Sequence, residues 1–313
     1  MRIILDTDID TDCDDAGALA VLHHYHGHTR AQVLGIVCSI PLPVCAQCVR
    51  AINAWYKHDD IPIGLIDRAR WQGKSSYPEY QRHRESLGAK GMLYNEHFAA
   101  DTSVPADTPE AVDLYRSLLA QQPDRSVTIC SIGTLTALSA LLDSPPDDVS
   151  PLTGKELIER KVRLLVTMAV AGYPHGCDGF NWRMDLPSAV NVMQHWPGPV
   201  AVQPIGGGVL TGQRFMAEAP PEHPVREVYR VWLEGWGKQN RSSPDQLAVI
   251  YAVEGARELF EERTGLRISI DPQTGTNTWS GAADGPERIL VGAAVDEQRL
   301  AAVVEDLMVA SLG

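Results

Sequence analysis

Residues Met1 to Asp15 read MRIILDTDIDTDCDD, and this stretch decides the architecture. A short apolar run (Ile3, Ile4, Leu5) leads directly into Asp6, Asp8, Asp10, Asp12, Asp14 and Asp15, and no Lys or Arg follows until Arg30. Carboxylates packed this closely repel one another strongly unless positive charge sits among them. A merely solvated acidic run would not be framed by a buried-type strand and by the apolar helical pattern Ala16, Ala18, Leu19, Ala20, Val21, Leu22. The stretch predicts strand, acidic loop, helix, with the carboxylates at the carboxyl end of a first parallel strand, where open α/β sheets put their ligands. That many carboxylate oxygens suit a hard cation, Ca²⁺ or Mg²⁺, better than zinc.

Working outward, strand and helix signals alternate. Ala31–Ser39 is β-rich, Pro43–Tyr56 helical and Ile61–Ile66 a short strand. Arg68–Asp107 is polar and without regular pattern, carrying Trp71, Tyr77, Tyr80, Tyr94 and His97; so long a segment is either a cover for the acidic loop or a plain surface excursion. Then come a helix at Pro109–Gln122, a strand at Ser126–Ile132, a helix at Thr134–Leu142 and a strand at Val162–Val170. Gly172–Met184 reads as a Gly-rich aromatic loop, Ser188–His195 as a helix and Pro199–Ile205 as a strand. Helices at Pro224–Gly235 and Pro244–Phe260, a strand at Arg288–Ala293 and a helix at Asp296–Leu312 complete the chain. This order predicts an α/β fold: one domain, 1–313, built on an open, mostly parallel β-sheet with helices on both faces, Rossmann-like in its winding.

Composition narrows the partners. The net charge of −13 over 313 residues argues against nucleic acid and anionic membranes, which select basic surfaces. No apolar run approaches the length of a membrane span, so the expected location is the cytoplasm. The six cysteines are scattered; Cys45 and Cys48 have redox or zinc spacing but fall on a helix without a second pair, where packing is the expected role. Gly206-Gly207-Gly208 matches neither a dinucleotide nor a phosphate loop.

Three patterns compete for the acidic stretch. An EF-hand loop needs Gly at its sixth position and Glu at its twelfth. Counted from Asp6 these places hold Thr11 and Gly17, and counted from Asp8 they hold Cys13 and Leu19, so the EF-hand fails. A haloacid-dehalogenase-like phosphatase, with Asp6 as nucleophile, is the weaker alternative. The stretch best resembles the amino-terminal signature of nucleoside hydrolases in its longer-loop form, D-T-D-x-x-x-D-x-D-D-A, on which Asp6, Asp8, Asp12, Asp14, Asp15 and Ala16 all fall. Three later stretches resemble the same family in the same order: Ser131-Ile132-Gly133-Thr134-Leu135-Thr136, Phe180-Asn181-Trp182 with Asp185, and Pro244-Asp245-Gln246-Leu247-Ala248-Val249.

The resemblance implies the nucleoside hydrolase fold, a Ca²⁺ cofactor and cleavage of an N-glycosidic bond in a ribonucleoside or related riboside. It implies metal ligation by Asp8, Asp15, Asp245 and the Ile132 carbonyl, with Asp8 also the base that activates water. Asp14 and Asn181 would bind the ribose hydroxyls, and Asp6 would brace the loop from behind. Asp10 and Asp12 fall in the longer-loop insertion as solvated turn residues or extra ligands. A homo-oligomer is implied by the family alone. The chain also departs from the pattern. Pro244 stands where many members carry the histidine that protonates the leaving base, and Gly179, next to Asp178, stands where they carry a glutamate for the 5′ side of the sugar. The ribose-binding Asn after the second strand has no counterpart in Ser39–Val44. His175 or Tyr173 as acid, and Trp182 or Trp279 stacking on a base, are the candidate substitutes. A second class of function follows from these departures: a member that keeps the metal and binds a ribose-like polyol without turnover.

Overall fold

The computed structural model describes residues 1–93, 108–281 and 286–313. Its centre is a ten-stranded sheet in the order β3-β2-β1-β4-β5-β7-β12-β10-β11-β6. β1 is Arg2–Thr7, β2 Gln32–Cys38, β3 Ile63–Leu65, β4 Val127–Ser131, β5 Val162–Met168, β6 His175–Cys177 and β7 Val200–Gln203. A two-stranded ribbon joins β8 (Leu210–Thr211) to β9 (Arg241–Ser242); β10 is Phe260–Ile270, β11 Thr276–Gly281 and β12 Arg288–Ala293. From β3 to β12 all neighbours run parallel, as the strand–helix alternation requires, and β10, β11 and β6 extend the sheet antiparallel.

β1 is buried on both faces. Ile3 and Leu5 point into one hydrophobic core and Ile4 into the other, the two-residue alternation of a central strand. The first core includes the helices α1 (Asp14–Gly27), α2 (Pro43–Trp55), Pro224–Trp236, Pro244–Glu254 and Glu297–Ala310; the second includes Ala111–Ala120, Thr136–Leu142 and Leu186–His195. β1 pairs β2 on one side and β4 on the other, so the strand order reverses at its carboxyl end, where a crevice opens. α1 and the helix Pro244–Glu254 are buried nearly all round and pack directly together. Gly17 permits this: a Cβ there would meet Gln246 Nε2 and the Tyr229 hydroxyl at 2.4 Å. The first turns of both helices thereby arrive at the same crevice.

Two sequence readings are corrected. The helix from Pro244 stops at Glu254 rather than Phe260, and the charged stretch beyond it forms β10. β10 and β11 escaped notice because only one face of β10 is covered, leaving Glu261 to Gly265 exposed and interrupting the apolar alternation. The polar segment from Arg68 contains a helix, α3 (Ser76–Gly88), that does reach the acidic loop; Tyr94 and His97 lie outside the described residues. Among the described residues no helix is long and apolar enough to cross a membrane.

Candidate active site

A cavity of about 340 Å³ opens over the carboxyl ends of β1, β4, β5 and β7. Asp8, Asp12, Asp14, Asp15 and Asp245 line its floor with Ile132; Met168, Val170, Phe180, Asn181 and Pro244 line its walls. Asp8 follows β1, and Asp14 and Asp15 open α1. Asp245 lies in the first turn of the facing helix, behind Pro244 at its amino end, so that two helix amino-termini turn their partial positive charge toward the carboxylates. Gly133 lets β4 exit against this loop: a Cβ there would come within 2.6 Å of the Asp8 amide nitrogen.

The carboxylates are held in distinct ways. Asp6 is fully buried, accepts from the Tyr115 hydroxyl at 2.7 Å and does not line the cavity. Burial pushes its pKa up to about 7 against the lowering effect of Tyr115, Ser39 and Ser131. The phosphatase alternative needs Asp6 as an accessible nucleophile and falls on this placement. Asp10 is neither a solvated turn residue nor open to the cavity: it is fully buried, accepts from Tyr80 and is paired by Arg84 Nε at 2.9 and 3.1 Å. Asp12 is half-buried and pairs with Arg241 Nη2 at 2.8 Å, while Asp14 accepts from Arg241 Nε at 3.2 Å. Asp15 accepts from the Thr7 hydroxyl.

Asp8 Oδ2 and Asp245 Oδ1 are buried without a hydrogen-bond partner among the described residues. Such orphaned acceptors are costly unless a cation or water serves them. Burial, reinforced by mutual repulsion, lifts Asp8, Asp14, Asp15 and Asp245 well above the usual carboxylate range. Asp12 goes the other way, for although burial opposes its charge, Arg241 holds it below that range. Asp12, Asp14 and Asp15 bring one oxygen each within 4.8 Å of one another, close enough to share an ion. An all-oxygen set of this kind fits a hard divalent cation.

Asn181 is buried beside the same floor, its Nδ2 donating to the Ile132 carbonyl at 2.9 Å and to the Met168 carbonyl at 3.3 Å. Asp178 is tied to backbone: Val170, Phe180 and Trp182 donate their N–H groups to it at 2.7, 3.2 and 2.8 Å. Asp178 still lines the cavity with Gly179, where a Cβ would meet nothing within 4 Å.

None of the four proposed leaving-group contacts lines the cavity. Trp182 is buried with its Nε1 3.4 Å from the Thr167 hydroxyl, and Trp279 is buried with Nε1 donating to the Ala171 carbonyl at 3.2 Å. His175 is exposed on β6 beside Thr278, and Tyr173 packs its ring against Arg263. The sequence reading assigned no role to Arg241, to Arg84 or to Tyr115. The one signal for Arg241 was its place four residues before Asp245.

An α/β sheet with a buried, cation-fitting carboxylate cluster at its topological switch point defines a class of enzyme. The chain belongs to the inosine-uridine preferring nucleoside hydrolase family, whose sequence profile matches residues 3–302; members of this family act on N-glycosyl compounds. Solved structures agree in fold. A plant nucleoside hydrolase, PpNRh1, superposes with a TM-score of 0.70 at 16% identity, covering 98% of each chain. The type III effector protein XopQ, solved in complex with adenosine diphosphate ribose, gives 0.72 at 15% identity over 100% of this chain and 94% of its own. The inosine-uridine preferring nucleoside hydrolase of Bacillus anthracis gives 0.66 at 17% identity over 99% of each. No curated protein matches the chain in sequence.

Proposed function

We propose that this protein hydrolyses the N-glycosidic bond of ribonucleosides or related ribosides with a divalent cation, Ca²⁺, held by Asp8, Asp15, Asp245 and the Ile132 carbonyl. The observation that carries this reading is the pair of buried, unpartnered acceptors, Asp8 Oδ2 and Asp245 Oδ1, in one cavity. Bound there, the ion supplies the positive charge that lets the cluster ionise and polarises the oxygens it touches.

The chain's own groups do the rest. Asp8, as carboxylate, takes a proton from the attacking water, because it lines the cavity and is the loop residue with an oxygen that has no partner among the described residues. Asp14, steadied by Arg241, accepts from a ribose hydroxyl. Asn181 fixes the Ile132 carbonyl through Nδ2, which also donates to Met168, and its Oδ1 is left to accept from the sugar. The developing oxocarbenium charge is stabilised by the surrounding carboxylates. Phe180, Met168 and Val170 give the departing base an apolar wall. The setting this reading implies is nucleoside salvage in the cytoplasm by a homo-oligomer.

A second reading, binding of a ribose-like polyol without turnover, is favoured by one observation. Pro244 occupies the leaving-group position, and neither Tyr173 nor His175 lines the cavity. Release of free ribose from a panel of nucleosides, with and without chelator, separates the two. Metal-dependent release that Asp8→Asn abolishes supports the hydrolase. Ribose binding without release from any member of the panel overturns it in favour of the second reading.

A further inference from the structure

Of the loop's carboxylates, Asp6 is engaged by Tyr115, Asp10 by Tyr80 and Arg84, and Asp12 and Asp14 by Arg241. Asp8 and the facing Asp245 each keep an oxygen without a partner among the described residues, and Asp15, which accepts from Thr7 through Oδ1, completes the set proposed for the ion. Yet the oxygens that lie close enough to share an ion belong to Asp12, Asp14 and Asp15, not to that set. The set proposed for the ion and this cluster thus overlap in one cavity, with Asp15 common to both. Carboxylate-bridged ion pairs about 4 Å apart are built on this plan.

We infer that Arg241 is the fixed counter-cation of the second position: its guanidinium takes the place a second divalent ion would otherwise fill beside Asp12, Asp14 and Asp15, and so limits the site to a single ion. This rests on the proposed function for the first ion only. Arg241 is not a free arm. Its Nη1 donates to Ser242 Oγ at 2.6 Å, its guanidinium lies 5.0 Å from the Trp232 ring centroid, and β9 pairs with β8 on its strand. A planar fork meets two carboxylates at once, whereas a lysine ammonium is a point charge. Among the described residues that line the cavity Arg241 alone is cationic, and Asp12 stays about a third exposed even with Arg241 beside it.

The test is ion stoichiometry in metal-stripped, refilled protein, measured by equilibrium dialysis with Ca²⁺ and checked by elemental analysis. Arg241→Gln should bind one more Ca²⁺ per chain than wild type, and Arg241→Lys, which keeps the charge, should not. Stripped Arg241→Gln should also melt lower than stripped wild type, and Ca²⁺ should raise its melting temperature by more. If the stripped variant does not fold, protein purified in Ca²⁺ is counted directly. An extra ion there supports the inference; the wild-type count with unchanged affinity overturns it. Wild type that binds no ion overturns the proposed function instead. In that case a gain of one ion by Arg241→Gln still sustains the role given to Arg241, and no gain removes both.

Discussion

Asn181 Nδ2 donates to the carbonyl of Ile132 at 2.9 Å, joining a residue expected to bind sugar to one expected to bind metal. A carbonyl oxygen has two lone pairs, so this bond and ligation are compatible. Asn181→Ala should therefore weaken both functions: KM for a riboside and the dissociation constant for Ca²⁺ should each rise about tenfold, one hydrogen bond's worth. Calorimetry and steady-state kinetics read the two separately. A rise in KM alone would show that the bond does not orient Ile132.

Arg84 and Asp10 anchor α3 on the acidic loop, with Asp10 fully buried and Arg84 about a quarter exposed. A charge-assisted hydrogen bond to a buried carboxylate is worth more than a neutral one, so Arg84→Ala should cost about 2 kcal/mol. Asp10→Asn in the same chain should recover much of the loss. Denaturant titration of the single and double variants measures both; a change within about 0.5 kcal/mol for Arg84→Ala would make the pair an ordinary surface contact.

His23 is buried, with Nδ1 2.8 Å from His58 Nδ1 and Nε2 2.9 Å from Asn53 Oδ1. Burial, then the neighbouring His58, lowers its pKa from 6.5 to about 3. The unfolded chain therefore binds the extra proton first, and stability falls as pH drops below about 6.5 toward 3. By linkage the loss is about 2 kcal/mol at pH 5. Melting temperatures between pH 7.5 and 5 should drop more steeply for wild type than for His23→Gln. Parallel curves would show that His23 is not the titrating group.

Pro244 predicts substrate preference. With proline in the histidine's place and neither Tyr173 nor His175 lining the cavity, p-nitrophenyl riboside, whose leaving group departs unaided, should be cleaved far better than inosine or uridine. General-acid help is typically worth about 10²–10⁴-fold. Pro244→His should raise nucleoside turnover selectively, since a first-turn helix position tolerates the exchange. Equal cleavage of inosine and the nitrophenyl compound by wild type would mean that another acid serves.

Ile3, Ile4 and Leu5 running into the aspartates of residues 6–15 determined the central strand, the loop at its carboxyl end and the α/β class, because apolar periodicity and charge density are local properties. The ordered motifs determined the family, and Asp8, Asp14, Asp15, Ile132, Asn181 and Asp245 do converge on one cavity. What tertiary structure alone decided is which carboxylates have partners. Tyr115 lies 109 residues from Asp6, Arg84 74 from Asp10 and Arg241 229 from Asp12, separations across which sequence carries no pairing signal. The same holds for Trp182, Trp279, Tyr173 and His175. Their residue types suited a leaving-group role, but whether a side chain faces a cavity, a core or solvent is set by how the sheet's faces and edges are covered.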